Sequence, residues 1–148
     1  MKKGFTLIEL LVVVLIIGIL SSIALPRYQK AVLQAKAATV FPKITALETA
    51  EKEFKMANGY YTSDLSALSI DAGAWACTGG NDDTWCQLRV SKDLIWEFVF
   101  YSTQNKFNIF CIAQTENGGK VCEKYGTLQA HLGGEGVYDK YYLVRTVQ

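Results

Sequence analysis

From Phe5 to Leu25 the chain reads FTLIELLVVVLIIGILSSIAL, apolar at nearly every position and charged only at Glu9. As a helix this stretch spans about 32 Å, enough to cross the hydrocarbon core of a bilayer. The pattern changes abruptly at Pro26. From Tyr28 to about Ala57, Ala31, Val32, Ala35, Ala38, Phe41, Ile44, Leu47 and Phe54 recur at spacings of mostly three and four. Lys30, Lys36, Lys43, Glu48, Glu51, Glu53 and Lys55 are interleaved with them, which predicts an amphipathic helix with one stripe on a partner layer. Glu48 with Lys52 and Glu51 with Lys55 form i,i+4 pairs in the favourable order, on what reads as a solvated face. Pro26 and Pro42 each delete a backbone hydrogen bond and predict kinks, and Gly18 weakens the apolar half. Asn58-Gly59 supplies a helix terminator.

Beyond the helix, Ser63 or Asp64 is placed to cap a short helical turn. Residues 69–92 carry Gly, Asp and Trp with little periodicity and read as a loop. Leu94 to Tyr101 is rich in aromatic and β-branched residues and predicts a strand. Ser102 to Asn105 is turn-like. Lys106 to Ala113 alternates, with Phe107, Ile109, Cys111 and Ala113 on one side. Thr115-Glu116-Asn117-Gly118-Gly119 is a turn signal, and Tyr141 to Val147 predicts a last strand. One long helix followed by consecutive strands gives an α+β fold, a long N-terminal α-helix with a transmembrane half and an amphipathic half packed on a C-terminal antiparallel β-sheet.

Composition narrows the function classes. The 148 residues suffice for one modest domain plus one long helix. A net charge of +1 is too even for an electrostatic nucleic-acid binder, and 50% apolar residues are too many for a disordered chain. No catalytic cluster surrounds the lone His131. Cys77-x8-Cys86 and Cys111-x10-Cys122 lack zinc-ribbon spacing, and neither Gly79-Gly80 nor Gly133-Gly134-x-Gly136 is a phosphate loop. Packing is the reading for Tyr60, Tyr61, Tyr138, Tyr141 and Tyr142. No enzyme activity, cofactor, metal or specific nucleic acid is therefore expected. Four cysteines beyond an N-terminal apolar segment point to an oxidising compartment outside the cytoplasm.

The N-terminus carries the sharpest signal. A secretory signal peptide cleaved near Ser21, Ser22 or Ala24 competes, but its apolar region would be short, whereas this one is long and runs on into helix-like sequence. A plain membrane anchor also fits on length. The order Lys2-Lys3-Gly4-Phe5-Thr6-Leu7-Ile8-Glu9 decides between them: a basic leader, a glycine, then an apolar helix with a carboxylate near its start. This run resembles the class III signal of type IV prepilins and pseudopilins, with leader, Gly4, Phe5 and Glu9 all at matching spacing. Gly59-x-Tyr61 followed by Asp64-Leu65 and Leu68 adds a weaker likeness. The resemblance is strong over residues 1–30, moderate to about residue 68 and architectural beyond.

It implies cleavage between Gly4 and Phe5 by a prepilin peptidase/N-methyltransferase, methylation of the Phe5 amine, and retention of the apolar helix. Residues 1–4 are then a leader, 5–25 a transmembrane and filament-core helix, and 26–148 a pilin head. Gly4 lets a protease approach the backbone closely. A carboxylate such as Glu9 costs on the order of 3 kcal/mol at the bilayer centre and less near an end. Thr6-x-x-Glu9 also fits a capping box, so a helix cap is the plain reading of Glu9. The family implies a second, compatible role, pairing with the N-terminal amine of a neighbouring subunit. The implied function is a structural subunit of a type IV pilus, held in the inner membrane and then assembled by pilus machinery into a surface filament of identical copies. The alternatives are a pseudopilin of a secretion or DNA-uptake machine, and an anchored enzyme whose N-terminus matches by chance. The cysteines allow three pairings, of which Cys77–Cys86 with Cys111–Cys122 is favoured. A turn centred between Glu116 and Asn117 would set Cys111 and Cys122 level on adjacent strands, and the family's C-terminal disulfide implies the same pair.

Overall fold

The computed structural model describes residues 4–71, 73, 75–79, 83–129 and 140–148. The chain divides into two compact units, Met1–Val32 and Leu33–Gln148. Helix α1 (Leu7–Asn58) runs without interruption through Gly18, Pro26 and Pro42. It ends where the repeat pattern ends, at Gly59, whose φ of +86° suits only a residue without a Cβ.

In the first unit the side chains from Phe5 to Leu25 are all exposed, among them Leu7 at 81% and Leu20 at 62%. In the second unit the sequence becomes selective. Leu33, Ala37, Ile44, Leu47 and Ala50 are buried, and the lysines at 36 and 43 are exposed. Of the stripe expected from the three-and-four spacing, Ile44 and Leu47 are buried and Val32, Phe41 and Phe54 half-buried, but Ala31, Ala35 and Ala38 are exposed, and the buried line runs through Leu33 and Ala37 instead.

Against that stripe lies a six-stranded antiparallel sheet built of β1 (Ala76–Gly79), β2 (Asp83–Ser91), β3 (Leu94–Tyr101), β4 (Lys106–Ala113), β5 (Thr127–Leu128) and β6 (Lys140–Val147). Its spatial order is β1-β2-β3-β4-β6-β5. Trp96, Phe98 and Phe100 of β3 and Phe107, Ile109 and Cys111 of β4 join the helix residues in one core. Ile95, Phe110 and Ile112 point the other way and form a second cluster with Val99, Tyr141 and Leu143. The two central strands are thus apolar on both faces, which explains the near-continuous apolar run from Leu94 to Tyr101.

The solvated face expected for Glu48 and Glu51 is buried, and two further expectations fail. Residues 69–92 are not one loop, because 76–79 and 83–91 form the β1–β2 hairpin. Cys86 and Leu88 face the core opposite Phe98 and Trp96, while Gln87 and Arg89 alternate with them on the other face. The period-two signal is present but diluted by polar residues on an outer strand of the sheet. Residues 115–119 are not a turn but the start of helix α2 (Glu116–Cys122), capped by the Thr115 hydroxyl, which accepts from the Gly118 amide. Its glycines serve close packing rather than a bend: a Cβ on Gly118 would overlap the Asp93 carbonyl oxygen. The short turn expected near residue 64 is a 3-10 turn over Leu65–Ala67, with Asp64 accepting from the Ser66 amide at 3.0 Å.

Candidate functional site: the N-terminal segment and the braces of the head

Thr6 and Glu9 close on each other at the start of α1. The Thr6 amide and hydroxyl donate to Glu9 Oε2 at 2.8 and 2.7 Å, and the Glu9 amide donates to Thr6 Oγ1 at 3.3 Å. This reciprocal arrangement is a capping box, and it satisfies helix-start amides that would otherwise lack partners. Both bonds to the Glu9 carboxylate use Oε2. Among the described residues nothing donates to Oε1. Gly4 has no atom within 4 Å of where a Cβ would stand, so the fold of the subunit places no demand for glycine there. The same holds at Gly18. Phe5 is 83% exposed. Lys2 and Lys3 lie outside the described residues, as do His131, Gly133, Gly134, Gly136 and Tyr138.

The head is fastened in three ways. Cys77 of β1 is bonded to Cys86 directly opposite it on β2, and Cys111 of β4 to Cys122 at the end of α2. The second bond does not arise from a hairpin: the strand neighbours of Cys111 are Trp96 and Tyr142, and Cys122 approaches from the helix. Each closes a loop of about ten residues, worth roughly 3 kcal/mol in the chain-entropy picture. The third fastening is Glu48, a buried carboxylate on α1 that accepts from Lys52 at 2.7 Å and from Arg145 of β6 at 2.6 Å. Burial pushes this carboxyl upward, but the hydrogen bonds and charges of Lys52 and Arg145 outweigh it and hold the group below its ordinary range. Sequence spacing anticipates the Lys52 pair; Arg145, 97 positions away, has no local signal.

The two disulfides differ in access. In the first, Cys77 is exposed on an edge strand whose four residues are all exposed and only Cys86 is buried, whereas in the second Cys111 and Cys122 are both 0% accessible. Limited reduction of the folded protein followed by alkylation is expected to label Cys77 and Cys86 about tenfold or more ahead of Cys111 and Cys122, because attack on the buried pair needs local unfolding. Equal labelling rates would contradict this ordering. Among the described residues no group of three or more His, Cys, Asp or Glu side chains is arranged to hold a metal ion.

Comparisons with known proteins find fimbrial relatives. A family model described as a prokaryotic N-terminal methylation motif matches residues 1–25. Fimbrial protein Q of Moraxella bovis is 34% identical over 116 residues, covering 63% of this chain and 74% of that protein. Fimbrial protein EcpC of Eikenella corrodens is 41% identical over 71 residues, 48% of this chain and 46% of its own. A type IV major fimbrial protein FimA of Dichelobacter nodosus is 44% identical over 77 residues, 47% of this chain and 48% of its own. The matches to EcpC and FimA thus span about half the length of those relatives. No solved structure matches. The chain belongs to the type IV pilin family. Its relatives are structural fimbrial proteins rather than enzymes.

Proposed function

We propose that this chain is a structural subunit of a surface type IV pilus. It is cleaved between Gly4 and Phe5, methylated at the new Phe5 amine and polymerised through residues 5–25. The observation that carries this reading is the first unit: a run of apolar side chains from Phe5 to Leu25, all exposed in the single subunit. Soluble proteins rarely leave more than a few hundred Å² of contiguous apolar surface uncovered. A bilayer supplies one cover, and a bundle of identical helices supplies the other. The same helix therefore serves as an inner-membrane anchor before assembly and as the filament core afterwards.

Glu9 gives the second state its specificity. Its Oε2 is engaged by Thr6, and Oε1 is available to the methylated amine of a neighbouring copy. Pairing the two charges offsets the cost of holding either one among apolar helices. Removing residues 1–4 takes away two of the 15 basic residues, Lys2 and Lys3, and leaves the 14 acidic ones in slight excess. The partners implied are the peptidase/N-methyltransferase, the pilus assembly machinery and other copies of the chain.

Electron microscopy of a strain lacking this chain tests the reading. Loss of long surface filaments, restored by the wild-type chain, is the expected result. Intact filaments with loss of protein secretion or DNA uptake would assign the chain to a short pseudopilus instead.

A further inference from the structure

Beside Glu48 the head buries two further carboxylates among the described residues, Glu51 and Glu97, of which Glu51 stands on the same helix. Glu51, one turn beyond Glu48 on α1, is 0% accessible. Its Oε2 accepts a single hydrogen bond, from the Thr62 amide at 3.2 Å, and its Oε1 is buried with no partner among the described residues. The cations nearby are committed elsewhere. Lys52 on the same helix and Arg145 on β6 both bind Glu48. Lys55, the i,i+4 neighbour of Glu51, stands over the Tyr61 ring at 4.3 Å from its centre. Lys106, where β4 begins, lies over the Tyr101 ring. In the segment after the helix, Asp64 is exposed and turned to Ser66, and the Tyr61 ring packs on Phe107. A carboxylate in this position has lost its hydration and gained no counter-ion among the described residues.

We propose that Glu51 is a proton-operated latch, which in its neutral form seats the segment from Gly59 to Leu68 on the helix and on ionisation loosens that segment. The seam it controls is small and defined. Thr62 is tied to Glu51, Tyr61 and Gly59 are tied to the Asn105 side chain at 3.1 and 3.0 Å, and Leu65 and Leu68 enter the core just beyond. An ionised Glu51 keeps the Thr62 amide as a donor but draws water into this seam to hydrate Oε1, which loosens the packing around it.

The direction of the pH dependence follows from burial. Desolvation raises the Glu51 carboxyl to about 7, against the lowering effect of the Thr62 amide. The folded head then binds a proton that the unfolded chain releases near its ordinary value of 4.5. Stability is greatest below that value, falls as pH rises toward 7 and stays at the lower level above it. Glu48 works in the opposite sense, stabilising above its ordinary range and losing that effect in acid, so a variant is needed to isolate Glu51.

Denaturant unfolding of the full-length protein in mild detergent tests this. The folding equilibrium of the wild type is expected to weaken by up to roughly 70-fold between about pH 5 and about pH 8.5, relative to Glu51→Gln measured alongside. Identical pH slopes for the two proteins would overturn the proposal. If Glu51→Gln fails to fold, carbon-13 NMR of the wild type labelled at glutamate carboxyls decides. One glutamate titrating near neutrality while the Thr62 amide shifts with it supports the latch, and all glutamates titrating in the ordinary acidic range refutes it.

Discussion

Glu9→Ala is expected to enter the membrane and lose its leader like the wild type, yet to be depleted at least about tenfold from sheared filaments when expressed beside normal subunits. Membrane residence should not suffer, since removing a carboxylate from an apolar span lowers the cost of insertion by up to about 3 kcal/mol. The capping loss is modest, about 1 kcal/mol for one helix end, and falls on a helix whose length far exceeds one turn. Neither effect predicts loss of assembly. Only the pairing of Glu9 with a neighbouring amine does, because a neutral residue at that position leaves the partner's charged N-terminus unpaired in an apolar core. Incorporation at wild-type levels would reduce Glu9 to the helix cap that its bonds to Thr6 already form. Glu9→Gln sharpens the comparison: it keeps an acceptor for the Thr6 amide but removes the charge, so it should assemble as poorly as the alanine variant.

The second large effect is at the cleavage junction. Gly4→Val is expected to leave the precursor uncut, with a mass greater than that of mature protein by the leader peptide. Nothing in the subunit surrounds Gly4, so the substitution leaves the fold of the head untouched, and any block to processing comes from the enzyme's need to reach the backbone. The prediction is read by immunoblot and mass measurement of membrane fractions. Efficient cleavage of the valine variant would mean that the junction lies elsewhere.

How much of this was written in the residues varies by element. The long helix was legible from two patterns meeting at Pro26, an apolar run and then a three-and-four repeat, because helix periodicity survives wherever one face is buried. The central strands β3 and β4 were legible as aromatic and β-branched runs because both of their faces are covered. The β1–β2 hairpin was not: only Cys86 of its residues is fully buried, and Gln87 and Arg89 break the apolar count without breaking the alternation. Helix α2 was misread because Gly118 and Gly119 signal a turn locally, whereas here they admit the Asp93 carbonyl and the Tyr142 hydroxyl to close range. That requirement is tertiary and leaves no trace in the neighbouring sequence.

The site divides along the same line. The Thr6–Glu9 cap is a contact between residues three apart and can be read from spacing. The Glu48–Arg145 brace and the solitary Glu51 depend on what β6 and the Thr62 segment bring to the helix. The positions of Glu48 and Glu51 did carry a hint, since they share a helix face with Leu47 and Phe54, but their i,i+4 lysines suggested a solvated face instead. Glu51 shows how far that inference can miss: its apparent partner Lys55 stands over a tyrosine ring and leaves the carboxylate alone.

The central claim is that this chain, cut after Gly4 and retaining its apolar helix, is the material of the filament. Intact-mass measurement of protein from sheared, purified surface filaments tests it most directly. The account predicts a dominant species beginning at Phe5, carrying one added methyl group on its N-terminal amine and two disulfides. A mature protein beginning near residue 25, or filaments in which this chain is absent, would contradict it.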